Sequence, residues 1–183
     1  MSIDLNLKLI RPVKIDLLLP QVSKILKVIL GQANIPNITA VGYDYDNKDF
    51  VPLKSNVIDL SSGMILFKMD IDEEPEIVNV GVVQIEHPQL SDEEQGSFIY
   101  VNSGSQRTPL EFALMAAVAA AIGCYLDTPV IDDRPFFTAI QNQSANEFVN
   151  AIKVKDFFND YRTASQVFYQ SLPLRGKEQG KVG

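Results

Sequence analysis

The chain has 183 residues, 46% hydrophobic and 21% charged, with 16 Lys and Arg against 23 Asp and Glu for a formal net charge of −7. A chain of this size buries enough apolar surface to fold without covalent staples; its single cysteine, Cys124, excludes an intrachain disulfide, and with a single histidine, His87, a metal site built from several Cys or His ligands is excluded by counting, so no cofactor is expected. The acidic balance runs against nucleic-acid binding, where Lys and Arg supply the affinity by neutralising phosphates.

At the N-terminus Ile3, Leu5, Leu7 and Leu9 alternate with Asp4, Asn6 and Lys8, the period of a strand with one wet face. A secretory signal opens with positive charge and continues into unbroken apolar sequence, so this alternation points to the cytoplasm. Ile15, Leu18, Leu19, Val22, Ile25, Leu26 and Ile29 then follow the helical period, with Gly31 as a C-terminal cap. Pro20 lacks an amide donor, so it either kinks this helix or sits in the first turn of one that starts near Leu19.

From Asn37 to Ser103 the pattern is β. Strands are expected over Ile38–Tyr45, Asn56–Leu60, Met64–Ile71, Ile77–Ile85 and Ser97–Asn102. Turn-forming runs punctuate them: Asp46-Asn47-Lys48-Asp49, Ser61-Ser62-Gly63, Asp72-Glu73-Glu74-Pro75, and residues 87–96. Such short connections imply antiparallel neighbours. Phe50–Lys54 reads as a further strand, and Pro52 keeps it out of the sheet centre.

Two helix starts carry the Ser/Thr-x-x-Glu signature, Thr108-Pro109-Leu110-Glu111 and Ser144-Ala145-Asn146-Glu147. The first opens an Ala-rich helix to about Tyr125 that is apolar on nearly all sides and therefore belongs at the centre of the fold. Ala113, Ala116, Ala117, Ala120 and Ala121 let it approach the sheet closely. Its uncharged stretch, Phe112 to Leu126, is too short to suggest a membrane span and is bracketed by Glu111 and Asp127. Pro129-Val130-Ile131 follows as a short buried strand ending at Asp132-Asp133. Asp156 is expected to restart the last helix with Phe157, Tyr161, Ala164 and Phe168 as its stripe, and the tail 175–183 is expected to be mobile. The sum is a single α+β domain over 1–174: an antiparallel sheet of about six strands with about three to four helices packed mainly on one face.

Charge is distributed unevenly. Between Met69 and Asp133 one basic side chain, Arg107, stands against 13 acidic ones, a net −12. Asp72, Glu73 and Glu74 crowd one turn and Asp92, Glu93 and Glu94 the next, at opposite ends of the strand between them. Such turns either dock a basic protein partner or simply keep strand edges soluble and unpaired.

The catalytic candidates are few. Asp132 and Asp133 end a buried strand, where paired carboxylates can hold a cation or act as acid and base, although strand alternation sends them to opposite faces. A Ser-His or Cys-His mechanism has to run through His87, which lies in a loop before Pro88, and Ser103-Gly104-Ser105 lacks the flanking glycines of a nucleophile elbow. Cys124 is expected in the core. Ser105 and Arg107, in the small-residue loop feeding a capped helix, are the candidates for anion binding, but no nucleotide motif surrounds them. Asp44-Tyr45-Asp46-Asn47-Lys48-Asp49 starts like a calcium loop and then fails, with Asp49 where the sharp turn needs glycine.

The run from Thr108 to Asp133, a capped Ala-rich helix returning to a strand that ends in paired aspartates, loosely resembles segments of bacterial toxin-immunity proteins. The net −12 middle third, the intact helix capping and the failure of every catalytic pattern lead, alongside that resemblance, to the expectation of a cytoplasmic, non-enzymatic interaction module, immunity- or adaptor-like, with the acidic turns as its surface for a basic partner. The competing expectations are a small metal-assisted hydrolase using Asp132 or Asp133, and a structural homo-oligomer sealed through an edge strand or the Phe157–Phe168 helix.

Overall fold

The computed structural model describes residues 3–32, 34–72, 74–92, 94–104 and 107–173. The expected mobile tail, 175–183, lies outside them. The described residues form β1 (Asp4–Lys8), β2 (Val13–Lys14), α1 (Ile15–Leu30), β3 (Ile38–Asp44), β4 (Asp49–Val51), β5 (Val57–Ile58), β6 (Ile65–Met69), β7 (Glu76–Ile85) and β8 (Gly96–Ser103). These are followed by α2 (Pro109–Leu126), β9 (Val130–Asp132), β10 (Asn142–Gln143), α3 (Ala145–Ile152) and α4 (Tyr161–Ser171).

Eight strands make one sheet in the order β10-β9-β1-β8-β7-β6-β3-β4, and β2 pairs with β5 in a separate ribbon. The pairings are antiparallel throughout. The α+β architecture therefore stands as read from sequence, with more strands than the six expected. The strands not read from sequence are the two-residue β2 and β10, too short for side-chain period to reveal, while the expected strand Asn56–Leu60 is reduced to β5 and pairs with β2 outside the main sheet. Both sheet edges are short: β4 ends just before Pro52, and β10 has two residues, which limits the unpaired backbone offered to another chain.

The register sorts the side chains into two faces. Leu5 and Leu7 of β1, Ile99 and Val101 of β8, Val78 and Val80 of β7, and Ile65, Phe67 and Met69 of β6 are buried on the inner face. Against them lies α2, which also packs on α1, α3 and α4. Every residue of α2 from Leu110 to Gly123 is buried, as an all-apolar helix requires. α2 passes for a membrane-spanning helix on length and composition, but 83% of its 18-residue window is buried inside this fold. Gly123 marks the closest approach: a Cβ there would lie 3.3 Å from a Leu7 methyl of β1, 3.2 Å from Ala145 Cβ of α3 and 3.0 Å from the Thr128 carbonyl.

The helix ends are closed as their sequences require. Thr108 Oγ1 accepts the Glu111 amide at 3.0 Å at the start of α2. At its other end Arg11 donates to the Tyr125 carbonyl at 2.5 Å and lies over the Tyr125 ring, a cation where the helix dipole is negative. Gly31 ends α1 with φ 58°, and a Cβ there would come 2.8 Å from the Asp156 carbonyl oxygen. Pro20 falls inside α1, which starts at Ile15 rather than near Leu19.

Two expectations are corrected. The last helix restarts at Asp160, whose carboxylate accepts the Thr163 amide at 2.8 Å, not at Asp156. Phe157 is left in the connection, 71% exposed, while Ala164 and Phe168 keep their places in the core. Cys124 is exposed rather than buried, because it falls on the last turn of α2 after the buried stretch has ended.

Gly123→Val is expected to lower the stability of the chain by about 1–3 kcal/mol through overpacking between α2, β1 and α3. Gly63→Ala, at φ 68° with nothing near its Cβ position, is expected to cost about 1 kcal/mol through backbone strain alone. Urea unfolding midpoints at unchanged slope measure both.

Candidate functional site

The residues singled out from sequence do not converge. Asp132 is buried on the inner side of β9; its Oδ2 accepts the Phe137 amide at 2.7 Å and the Thr138 amide at 3.3 Å, and its Oδ1 has no hydrogen-bond partner among the described residues. That carboxylate organises the loop from β9 to β10. Asp133 points outward and accepts the Asn6 side-chain amide of β1 at 2.6 Å. The two are thus split by strand alternation, and they cannot share one cation or substrate. His87 is exposed, its Nδ1 accepting the Gln89 amide at 3.3 Å within its own turn. No group of three or more His, Cys, Asp or Glu side chains suited to a metal ion occurs among the described residues. Partial burial of the Cys124 sulfur raises its thiol pKa, which lowers its thiolate fraction.

The acidic turns sit where hairpin geometry predicts, at opposite ends of β7. Asp72 and Glu74 are exposed in one, Asp92 and Glu94 in the other, while Glu73 and Glu93 lie outside the described residues. Glu94 closes its own turn: the Ser91 amide and hydroxyl donate to its Oε2 at 3.0 and 2.7 Å and hold its carboxyl below the ordinary range. Ser105 also lies outside the described residues. Arg107 has φ 54°, and its backbone amide donates not outward but to Glu111 Oε2 at 2.8 Å.

That bond leads to a cluster the sequence reading missed. Glu76 begins β7 on the inner face, opposite Met69, and is 6% exposed; Glu111 in the first turn of α2 is 1% exposed. Thr108 links them, its hydroxyl donating to Glu76 Oε2 at 2.7 Å while accepting the Glu111 amide. Glu111 Oε1 is buried without a partner among the described residues. Burial, with the like charge of Glu76 adding to it, pushes the Glu111 carboxyl up to about 7 against the lowering influence of the Arg107 amide. Burial likewise raises Glu76, opposed by the Thr108 hydroxyl and the charge of Arg162 on α4. Both carboxyls are buried between the first turn of α2 and the start of β7, and Glu111 Oε1 is closed to solvent among the described residues.

The second feature lies on the other side of the sheet, which no helix covers. The register places Tyr43 of β3, Phe50 of β4, Leu66 of β6, and Ile77 and Asn79 of β7 on this outer face. The Tyr43 ring meets Tyr45 and Phe50 edge-on, with centroids 5.1 and 5.8 Å away. Tyr45 is 67% and Met64 41% exposed, and the Tyr45 hydroxyl reaches Met64 Sδ at 3.4 Å. Together with Lys48 and Gly104 these residues border a groove of about 580 Å³, a size suited to small ligands. The turn at its rim is self-contained: Asp44 accepts from the Asp46 and Asn47 amides and from the Asn47 side chain, whose bond is the main reason its carboxyl is held low.

The titratable groups lining the groove are two tyrosines and a lysine, with no thiol, imidazole or carboxylate among the described residues bordering it. What it offers is stacking area, sulfur and aliphatic contact, one ammonium and one amide. No family model matches the chain, and no curated protein or solved structure is similar to it.

The buried carboxyls predict a pH dependence. With a folded pKa of about 7 against an ordinary 4.5, Glu111 binds its proton more tightly folded than unfolded. Its protonation therefore supports the fold below pH 4.5, and that support is lost as pH rises through 7. The loss is of order 3 kcal/mol. Glu111→Gln is expected to remove most of this slope and to make the chain more stable than the parent at pH 8, read from unfolding midpoints between pH 4.5 and 8. A variant as steeply pH-dependent as the parent would place the titrating group elsewhere.

Proposed function

We propose that the chain is a non-enzymatic binding module whose contact surface is the uncovered face of the sheet, centred on the groove beside the β3–β4 hairpin. The observation that carries this reading is the asymmetry of the sheet. All four helices lie on the inner side, and the outer side bears an aromatic cluster with Tyr45 and Met64 left exposed at the edge of a groove. Exposed rings and methionine beside a concavity are the composition of contact surfaces rather than of solvated sheet. The divergence of Asp132 and Asp133 and the isolation of His87 within its turn favour binding over the metal-assisted hydrolase.

A second reading keeps the basic protein partner at the acidic turns, and the exposure of Asp72, Glu74, Asp92 and Glu94 favours it. Since β7 has 10 residues between those turns, a partner touching both has to span about 30 Å. One turn alone offers too few charges to dominate a stable contact, and exposed ion pairs contribute about 0–1 kcal/mol each.

Variants separate the two. Tyr45→Ala, folded as judged by thermal unfolding, is expected to abolish specific retention of host components on the immobilised chain. Asp72→Lys with Glu74→Lys is expected to leave it intact at physiological salt. The reverse pattern, with retention lost on charge reversal and falling steeply with ionic strength, moves the contact to the turns.

A further inference from the structure

We propose that the groove on the open sheet face takes a small planar aromatic monoanion, an aryl carboxylate or its chemical equivalent; the proposal rests on the reading of that face as the binding surface. The shape argument is the ring cluster. Tyr43, Tyr45 and Phe50 stand edge to face around the groove rather than filling it. They present ring edges and faces to an occupant that can complete the stack, and a flat ring does so at little cost in internal freedom. Leu66, only 5% exposed although it sits on the outer face, forms the apolar floor.

Charge narrows the occupant further. In a chain with net charge −7, the only charged side chain bordering this groove among the described residues is a cation, Lys48. Of the three aspartates in its turn, Asp44 accepts three hydrogen bonds within the turn and Asp49 Oδ1 accepts the Phe50 amide at 2.7 Å, while the exposed Asp46 does not border the groove. Lys68 is already engaged, pairing with Asp70 at 2.8 Å and lying over the Phe50 ring at 5.2 Å, and Lys54 faces the adjoining hollow and Asp44 rather than this groove. Lys48 takes part in no hydrogen bond or ion pair among the described residues and is held at the rim by a left-handed backbone, φ 54°. An ammonium at the mouth of an aromatic groove matches an occupant with a ring inside and a negative group outside. Asn79 supplies orientation: its amide NH₂ donates to Asn102 Oδ1 at 3.0 Å, so its oxygen remains to accept from a ring hydroxyl or amine.

The test titrates the full chain with 4-hydroxybenzoate and, in parallel, with its neutral counterpart 4-hydroxybenzamide, following amide signals by NMR. Saturable shifts are expected at Lys48, Asn79 and Gly104 with the acid. Lys48→Asn, which suits the left-handed backbone, is expected to weaken the acid about tenfold or more and to leave the amide unchanged, the loss of one charge-assisted contact. Equal binding of acid and amide, or unchanged binding by Lys48→Asn, overturns the anion assignment while the aromatic surface stands. Absence of shifts at the groove with either probe overturns the ligand class altogether. The reading of the open face fails separately, if Tyr45→Ala leaves partner retention intact.

Discussion

α2 has no polar side. Its buried run extends from Leu110 through Gly123 without a break, so it can exist only where structure surrounds it on every side. One side is met by β1, β7 and β8, the others by α1, α3 and α4. Because alanine and glycine line so much of it, these neighbours approach closely, as the Gly123 contacts with Leu7 and Ala145 record. All the helical mass is thereby committed to one face of the sheet. The other face is left to cover itself with its own side chains, and near β3, β4 and β6 it does so incompletely.

The cost of seating α2 shows at its N-terminus. Its first turn is driven against the sheet at the point where Glu76 enters on the inner face, and Glu111 is carried in with it. The helix amides and Thr108 accommodate the two carboxyls, and burial raises both of their pKa values. Buried, raised carboxyls are often the mark of an active site. Here they are walled off beneath the turn that carries Gly104, whose Cβ position lies 3.2 Å from Glu111 Oε1. Their burial follows from the packing of α2 against the start of β7.

Much of the fold is legible in the sequence because its signals are local. The alternation in Leu5 and Leu7, the turn runs between strands and the cap at Thr108 each act within a few residues, and each gave an element within a residue or two of its observed ends. The misses depend on distant partners. Thr108-x-x-Glu111 and Ser144-x-x-Glu147 are the same local signature, yet Glu147 closes a capping box in solvent and Glu111 is buried beside Glu76. A signal did exist: Glu76 shares the phase of Val78 and Val80, which put it on the inner face. The groove was hidden because its rings come from β3, β4 and β6, whose adjacency is set by pairing rather than by order. Tyr43 does alternate out of phase with Ile38 and Ala40, which marks it as outward-facing once the sheet is known.

α2 is the enclosed axis of the fold, and the sheet is therefore one-sided. Native-state hydrogen exchange tests it most directly. Amides of α2 from Phe112 to Ile122 are predicted to exchange only through global unfolding, tracking the full stability of the chain as denaturant is added. Amides of the β3–β4 hairpin around Lys48 are predicted to open far more readily. Fast, denaturant-independent exchange along α2 would show a helix that solvent reaches without unfolding, and would contradict the account.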